Sequence, residues 1–299
     1  MAKVVVFGGA GFLGSHVCDV LSDRGHEVTI FDIVKSEYLR EEQKMIVNDI
    51  LDDQAVIDAI KGADYVYHFA AIADIDVAKK DPVSTAKFNI LGTVNILEAC
   101  RIHNVKRVIF SSTIYVYSIQ GSFYRCSKQA CELFIENYQK EYGIPFTILR
   151  YGSLYGHRAN DFNFIKNSIK EAIENGTITR KGDGSETREY INVLDASTSS
   201  VDIMEDSYYE NKHLIITGTQ SHKVSEVLEM IKEILQNSVE IIYDNEHIAE
   251  DHYQITPYTF KPTVALKIIP KDFHDLGQGI LECIYDQYSD TNNIHGKSE

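Results

Sequence analysis

Short apolar runs alternate with amphipathic stretches over the first half of the chain. The run at residues 4–7 is rich in valine and ends at glycines, which is typical of a strand buried on both faces of a parallel sheet. Further strands are predicted over 26–31, 65–69, 107–110 and 145–150, with helices over 15–23, 53–61, 85–101 and 124–142. This alternation predicts an α/β fold, a Rossmann-type doubly wound parallel sheet with helices on both faces.

The pattern changes after Tyr151, where a glycine-rich turn at 182–184 and a helix over 225–236 are the clearest signals. We interpret residues 1–150 as the Rossmann domain, with 181–218 returning to it. Residues 151–180 and 219–289 are predicted to form a smaller α/β C-terminal substrate lobe. The polar residues 290–299 are predicted to be a flexible tail.

The chain has 299 residues, 44% of them hydrophobic and 24% charged, which excludes disordered, collagen-like and disulfide-scaffold proteins. A formal net charge of −15 disfavours nucleic acid as a partner. The five cysteines form no CxxC pair, so neither a zinc site nor a disulfide framework is indicated. The first apolar run is too short for a signal peptide, and no run reaches the ~18 residues of a membrane span. We therefore expect a cytoplasmic protein that contacts no membrane.

A glycine-rich turn follows the first predicted strand. Residues 8–14 read GGAGFLG and contain G-x-G-x-x-G between a predicted strand and a predicted helix, the context of a dinucleotide-binding turn. Glycine there lets the backbone approach a pyrophosphate, and the helix directs its free N–H groups at it. Asp32 ends the second strand about 20 residues later, where a carboxylate binds the ribose hydroxyls and repels a 2′-phosphate. The turn therefore predicts NAD rather than NADP, although Lys35 lies close enough in sequence to reach a 2′-phosphate.

Tyr124 and Lys128 are four residues apart on a predicted helix, so they share one face. Such a pair alone is common on solvated helices. Here it follows a strand that ends in Ser111-Ser112-Thr113, and ligands bind at the carboxyl ends of such strands. A tyrosine base working near pH 7 needs its pKa lowered by about three units. We expect Lys128 and the oxidised nicotinamide to supply the positive charge, and Thr113 to orient a substrate hydroxyl.

Several further motifs complete a family pattern. They are Asp49-Ile50, His68-Phe69-Ala70-Ala71, Asn89 with residues 92–99, Arg150-Tyr151, Tyr155-Gly156, the turn at 182–184 and residues 188–195. Together with the turn at 8–14 and the Tyr124/Lys128 pair, this set resembles the extended short-chain dehydrogenases/reductases of the NAD-dependent nucleotide-sugar epimerase and dehydratase group. The resemblance covers nearly the whole chain.

The resemblance implies a role for each matching residue. The residues expected to line the NAD site are Gly8, Gly11, Phe12, Leu13, Gly14, Asp32, Asp49, Ile50, Phe69, Ala70, Ala71 and Lys128. The catalytic residues implied are Thr113, Tyr124 and Lys128. Thr113, Tyr124, Ser153 and Arg188 are implied to contact a nucleotide-diphosphate sugar, with Arg188 on the diphosphate. In relatives the helices that correspond to 91–101 and 124–142 pack across a two-fold axis, which implies a homodimer.

The chain departs from the family in three places. Dehydratases and decarboxylases of the family carry acidic residues just after the serine/threonine position, where this chain has Ile114 and Tyr115, so elimination of water is disfavoured. The segment between Thr113 and Tyr124 has ten residues, fewer than is usual. Ser153 stands where the family often has asparagine, which weakens the expected polar contact to the substrate.

Three other candidates are better explained by structure than by chemistry. His68, at a strand end, is more often a satisfied structural residue than a catalytic base. Cys126, inside the Tyr124/Lys128 turn, is more often a helix-packing residue than a reactive thiol. The acidic and histidine cluster at 246–252 lacks the H-E-x-x-H spacing, so no metal is expected.

The function implied is NAD-dependent oxidation at C4 of a nucleotide-diphosphate sugar. Return of the hydride to the other face would make the enzyme a 4-epimerase. Release of the ketone would make it a 4-dehydrogenase of the type of the GDP-heptose enzymes of bacterial capsule pathways. The alternatives are a reductase of an NDP-4-keto sugar, which Asp32 disfavours because such enzymes prefer NADPH, and a non-catalytic NAD-binding sensor.

Overall fold

The computed structural model describes residues 1–236, 238–244, 254–257, 265–270 and 273–295, with the backbone alone for 290–295. The strands are β1 (Lys3–Phe7), β2 (Glu27–Asp32), β3 (Lys44–Val47), β4 (Tyr65–His68), β5 (Arg107–Thr113), β6 (Phe146–Tyr151), β7 (Ser153–Tyr155), β8 (Thr177–Lys181), β9 (Thr187–Asn192), β10 (Lys212–Ile216), β11 (Ser221–Lys223), β12 (Glu240–Asp244) and β13 (Leu266–Ile268).

The helices are α1 (Phe12–Asp23), α2 (Asp53–Ile60), α3 (Ile75–Lys80), α4 (Pro82–Thr85), α5 (Gly92–His103), α6 (Ser122–Tyr142), α7 (Phe164–Asn175), α8 (Val193–Glu205), α9 (Val224–Ile234) and α10 (Leu276–His295). A π-helix spans Ala86–Leu91, and 3-10 turns span Ile114–Tyr117 and Ser207–Tyr209. Within the described ranges, no helix is long and apolar enough to cross a membrane.

Eight strands form one sheet in the order β13-β10-β6-β5-β4-β1-β2-β3, and every pairing in it is parallel. The chain moves outward from β1 to β3 and then crosses back to β4, which places a topological switch point between β1 and β4. The predicted doubly wound Rossmann-type fold is confirmed. In such sheets ligands bind beyond the carboxyl ends of the strands at the switch point.

The first compact unit comprises residues 1–151, 196–216 and 257–268. Its core forms because strands β1, β4 and β5 carry large apolar side chains on both faces, as the continuous runs predict. Phe7, Phe31 and Phe110 are completely buried, and the rings of Phe7 and Phe31 lie 4.8 Å apart. Helix α5 adds Ile96 and Leu97 to the same cluster, so the helix covers the sheet with its apolar face.

The second unit comprises residues 152–195, 217–256 and 269–299. It contains a three-stranded sheet, β11-β9-β7, and a two-stranded sheet, β12-β8. Apolar side chains from α7, α9 and α10 form its own core, including Ile169, Leu228 and Ile280. The predicted α/β character of this lobe agrees with these elements.

The division of the chain differs from the predicted one. Residues 181–195 were expected to return to the Rossmann domain with 196–218, but β9 pairs with β7 and β11 in the second unit instead. Of residues 181–218 only 196–216 return, where β10 pairs with β6. Residues 257–268 were predicted to lie in the substrate lobe with the rest of 219–289, but they belong to the first unit, where β13 pairs with β10. Helix α10 continues through His295, beyond the start of the predicted tail at residue 290. Residues 245–253 lie outside the described residues, and the cluster at 246–252 with them.

Candidate functional site

The turn at residues 8–14 follows β1 and leads into α1. Its glycine positions differ in what an added side chain would contact. Gly8 has a φ of +79°, and a Cβ there would lie 2.5 Å from the backbone nitrogen of Ala70. A Cβ on Gly14 would lie 2.2 Å from the carbonyl oxygen of Gly8. A Cβ on Gly11 would meet only that oxygen, at 3.3 Å. Gly8 and Gly14 are therefore required by the turn itself, while Gly11 keeps an accessible stretch of backbone bare.

Gly11 is also the N-cap of α1, and no side chain caps this end of the helix. The first turn carries no acidic residue that would neutralise the positive end of the helix dipole. The predicted residues Phe12 and Leu13 are the first two residues of the helix. These features fit a dinucleotide pyrophosphate, which would lie against Gly11 and accept from the free N–H groups of the first turn.

Asp32 lies beside this turn at the end of β2. Its carboxylate accepts hydrogen bonds from the backbone N–H of Ala10 at 3.0 Å and of Val34 at 3.4 Å. The side chain therefore fastens the turn as well as presenting a negative charge next to it. Two oxygens with four lone-pair sites leave capacity for a ribose hydroxyl.

Asp49 and Ile50 follow β3, which pairs with β2, so the register brings them next to Asp32. The backbone N–H of Asn48 donates to the carbonyl of Asp32 at 2.9 Å, and the Asp49 carboxylate accepts from Leu51 N–H at 2.9 Å. Ile50 is buried, and its Cδ1 would lie 2.4 Å from a Cβ on Gly92. Ile50 thus packs into the helix–sheet core, and Asp49 is the more open of the two.

Phe69, Ala70 and Ala71 follow β4 on the other side of β1. The backbone N–H groups of Phe69 and Ala70 both donate to the carbonyl of Phe7, at 2.8 and 3.1 Å. This shared acceptor holds the β4 loop against the glycine turn. The first unit therefore brings the glycine turn and the residues that follow β2, β3 and β4 to the carboxyl ends of neighbouring parallel strands.

Thr113, Tyr124 and Lys128 also lie at the carboxyl ends of these strands. Thr113 is the last residue of β5, and its hydroxyl forms a hydrogen bond with the half-buried Tyr124 on α6. Lys128 is buried one turn later, and its Nζ donates to the carbonyl of Ser111 at 2.7 Å. Its Nζ lies 4.7 Å from the ring centroid of Phe110 and 6.0 Å from that of Tyr124. The structure thus joins the three predicted catalytic residues across α6 and β5.

Burial shifts the pKa of Tyr124 and the pKa of Lys128 in the directions that favour their neutral forms. It raises the pKa of Tyr124 to about 12, against the hydrogen bond from Thr113, which lowers it. It lowers the pKa of Lys128 to about 8. The expected lowering of the Tyr124 pKa by Lys128 is not present in the protein alone, because the Lys128 ammonium is directed at the Ser111 carbonyl.

Asn89, in the π-helix, supports this arrangement from behind. Its amide oxygen accepts from Ile72 N–H at 2.7 Å, and its amide nitrogen donates to the Ile72 carbonyl at 3.0 Å and to the Ser127 hydroxyl at 2.9 Å. One buried side chain thus connects the loop after β4 with the residue before Lys128. The sequence pattern included Asn89 without assigning it a role. The π-bulge that carries it is a common mark of functional sites.

His68 has the environment expected of a structural residue, whereas Cys126 does not. His68 is buried, its Nε2 lies 2.8 Å from the Thr93 hydroxyl, and burial followed by the charge of Lys128 holds its pKa well below the usual value. A neutral, enclosed imidazole suits packing. Cys126 is exposed on α6, where the guanidinium of Arg125 lies 3.6 Å from its sulfur, so the expected helix packing of this thiol is not what the structure shows.

The segment between Thr113 and Tyr124 begins with a short 3-10 turn, most of whose side chains are buried. Ile114, Val116 and Tyr117 are buried, so the residue directly after Thr113 faces the core. Gly121 adopts a φ of +91° with the ring of Tyr115 against it, and α6 begins at the next residue. Ten residues are enough to connect β5 with α6 because the chain turns back directly after β5.

Arg188 and Ser153, the remaining predicted substrate residues, belong to the second unit. They lie on neighbouring parallel strands, β9 and β7. Arg188 is buried. Its charge, after burial, lowers the pKa of the neighbouring Arg180, a residue that the sequence pattern did not single out. Among the described residues, no group of three histidine, cysteine or acidic side chains is placed to hold a metal ion.

Comparison with known proteins places this geometry in context. Residues 4–216 match the model of the NAD dependent epimerase/dehydratase family. The chain is 31% identical to a UDP-N-acetyl-alpha-D-glucosaminuronate decarboxylase from Bacillus cytotoxicus, over 81% of this chain and 83% of that protein. It is 27% identical to a putative UDP-glucose 4-epimerase from Methanocaldococcus jannaschii, over 88% and 94%.

A solved structure gives the same picture for the fold. The structure of a UDP-N-acetylglucosamine 4-epimerase from Methanobrevibacter ruminantium, in complex with UDP-N-acetylmuramic acid, superposes with a TM-score of 0.84 at 26% identity. The match covers 97% of this chain and 99% of that one. The similarity therefore includes both units of the chain.

Proposed function

The chain belongs to the NAD-dependent epimerase/dehydratase family, and from that membership we propose that it is a 4-epimerase of a nucleotide-diphosphate sugar. The observation that carries the proposal is the hydrogen-bonded contact of Thr113 with Tyr124, with Lys128 one turn further along α6. A hydroxyl, a phenol and an ammonium at the carboxyl end of β5 form the set needed to remove a proton from a sugar hydroxyl.

NAD⁺, when bound, supplies a hydride acceptor and a positive charge. The residues that would hold it are Gly11 and Phe12 at the pyrophosphate, Asp32 at the ribose hydroxyls and Lys128 at the nicotinamide ribose. The bare backbone at Gly11 and the uncapped end of α1 fit this cofactor. The carboxylate of Asp32 disfavours the 2′-phosphate of NADP, which is why a keto-sugar reductase is the weaker candidate.

Thr113 would orient the C4 hydroxyl toward Tyr124, and the Tyr124 phenolate would take its proton. Because burial holds the pKa of Tyr124 at about 12, ionisation near neutral pH needs positive charge close to the ring. Lys128 supplies part of that charge and the oxidised cofactor the other part. In the return step Tyr124 gives the proton back to the C4 oxygen.

Epimerisation is favoured over elimination or decarboxylation by the residues after Thr113. Ile114 is apolar and buried, so neither an acid nor a base stands at that position. A second candidate is net 4-dehydrogenation with release of the ketone, which the short 3-10 segment favours because it leaves fewer residues to enclose the sugar.

For the substrate, Arg188 is the proposed diphosphate ligand and Ser153 a proposed polar contact. We expect a UDP-sugar first, because the relatives named above act on or bind UDP-sugars.

We also propose a homodimer formed through α5 and α6. Apolar side chains remain exposed on and beside these helices, among them Leu91, Ile102, Leu133 and Phe134. Exposed apolar side chains on two neighbouring helices are what an interface with a second copy would cover.

The test is to incubate the protein with NAD⁺ and a panel of UDP-, GDP- and dTDP-sugars, following the sugar by NMR and the reduced nicotinamide by absorbance. A C4 stereoisomer without net NADH supports the epimerase, whereas a ketone with NADH in proportion to enzyme supports the dehydrogenase.

Tyr124→Phe should abolish turnover and leave NAD binding intact. Tyr142→Phe is the matched control, since Tyr142 is an exposed tyrosine on the same helix. Full turnover by Tyr124→Phe would refute the assignment.

A further inference from the structure

A buried ion pair lies directly behind the catalytic residues. Glu132, on α6 one turn after Lys128, accepts from Arg150 on β6 through both oxygens, at 2.6 Å to Nη2 and 3.0 Å to Nε. Both side chains are more than nine-tenths buried. The Ser112 hydroxyl donates to the same carboxylate at 2.5 Å, and the second terminal nitrogen of Arg150 donates to the Tyr117 hydroxyl.

Ser112 sits between the two residues that hold the catalytic groups. The carbonyl of Ser111 accepts from Lys128, and the hydroxyl of Thr113 bonds to Tyr124. In the sheet register Ser112 is paired with Arg150. Glu132 therefore joins three elements, the helix that carries Tyr124 and Lys128, the strand that ends in Thr113, and the neighbouring strand β6.

Stability alone does not account for charges at this position. A buried ion pair loses much hydration energy, and replacing one with well-packed apolar side chains is often neutral or stabilising. What an apolar pair cannot supply is a directed contact to Ser112 and a negative charge close to Lys128. The charge matters because burial favours the neutral form of Lys128, and the carboxylate of Glu132 is one of the groups that oppose this.

Other titratable groups around Lys128 also bear on its protonation. Tyr124 and Cys131 are on its own helix, and Cys131 also favours the charged lysine. His68 on β4 is neutral. Arg150 on β6 is hydrogen-bonded to Glu132, and Tyr117 in the 3-10 segment is hydrogen-bonded to Arg150. Glu132 is thus the one carboxylate among the groups named here, and it is held in an ion pair with Arg150.

We propose that Glu132 is a positioning residue, which fixes α6 against the end of β5 and supplies the negative charge that keeps the Lys128 ammonium protonated. Its catalytic meaning rests on the proposed function. The placement itself is independent of which sugar is turned over.

The test measures Lys128 directly in protein without cofactor or sugar. Lysine labelled with ¹³C at Cε is titrated by NMR, and the Lys128 signal is identified by its loss in Lys128→Arg. In Glu132→Gln the midpoint should fall by at least about 0.5 unit from its wild-type value near 8, while Glu132→Asp should stay close to wild type. Glu205→Gln, which breaks the ion pair with Arg24 on the same unit, is the control and should leave the midpoint unchanged.

An unchanged Lys128 midpoint in Glu132→Gln would overturn the inference. If the single variant does not fold, Glu132→Gln combined with Arg150→Gln removes both charges, and the midpoint should again fall because the carboxylate is lost. With an active sugar substrate, the alkaline limb of the pH profile of kcat/KM should move downward by the same amount. If no sugar reacts with the wild-type protein, the proposed function fails while the titration still decides the role of Glu132.

Discussion

Replacing Gly11 with alanine separates cofactor binding from folding. The backbone of Gly11 has an ordinary φ of −80°, and the new Cβ meets only the Gly8 oxygen, at 3.3 Å. The lower entropy of the unfolded chain, about 0.4–1 kcal/mol, offsets that tight contact, so stability should change by less than about 1 kcal/mol. The methyl group would stand where the pyrophosphate must approach. Overpacking of about 1–3 kcal/mol predicts an NAD Kd raised roughly 5- to 150-fold.

Gly14→Ala is the contrasting change. Its Cβ would lie 2.2 Å from the Gly8 oxygen and 3.0 Å from the Gly9 Cα, and both are backbone atoms that cannot rotate away. We expect a loss of more than about 3 kcal/mol of stability together with NAD binding. Gly62→Ala is the control, because Gly62 has a φ of +77° and no atom within 4 Å of an added Cβ. Backbone strain should lower its stability by about 1–2 kcal/mol and leave NAD affinity unchanged.

Calorimetric titration with NAD and thermal unfolding, both in the same buffer, measure the two effects separately. Wild-type NAD affinity in Gly11→Ala would refute the reasoning, since it would mean that the cofactor does not approach this backbone. A folded Gly14→Ala with unchanged Tm would refute the packing role of Gly14.

Three further substitutions test the site and the surface. Thr113→Val keeps the volume and removes the hydrogen bond to Tyr124, so kcat should fall about 100-fold with NAD affinity unchanged; an unaltered kcat would contradict the role of the hydroxyl. Lys128→Met removes a buried cation whose pKa is lowered from 10.5 to about 8, so it should stabilise the fold by about 3 kcal/mol at pH 7 while abolishing turnover. Because a charged Lys128 costs stability below its folded pKa, that gain should disappear as the pH rises from 8 to 10.5, and denaturant unfolding at several pH values checks it. Leu133→Glu places a charge on the exposed face of α6 and should convert the proposed dimer to monomer in sedimentation velocity; an unchanged sedimentation coefficient would contradict a dimer formed through this face.

The sequence was informative where local pattern and tertiary role coincide. The apolar run at 4–7 predicts a strand, the glycines after it predict a turn, and Asp32 follows at the spacing of a ribose-binding acid. These three features could therefore be predicted in order. Tyr124 and Lys128 were predictable as a pair because helical spacing alone puts them on one face.

The rest depended on contacts between distant residues. The helix predicted over 85–101 is interrupted by the π-helix at Ala86–Leu91, where Asn89 reaches Ile72 and Ser127. Strand β3 has only four residues with mixed exposure and gave no period-two signal. The ion pair of Glu132 and Arg150 joins positions 18 residues apart in sequence, on a helix and a strand whose contact no local pattern encodes.

The chain passes between the two units five times, at 151/152, 195/196, 216/217, 256/257 and 268/269, so neither unit is a continuous segment. Synthesis from the N-terminus delivers strands β1 to β6 first, and β10 and β13 complete the same sheet only after more than 100 further residues have been added. The β6 edge is left open to pairing with other chains until β10 is added, and the β10 edge is then open until β13 is added, which is a hazard for a nascent polypeptide. Fragments cut at a unit boundary would carry the same open edge, which makes insertion of a new segment at a surface loop a sounder engineering route than dissection.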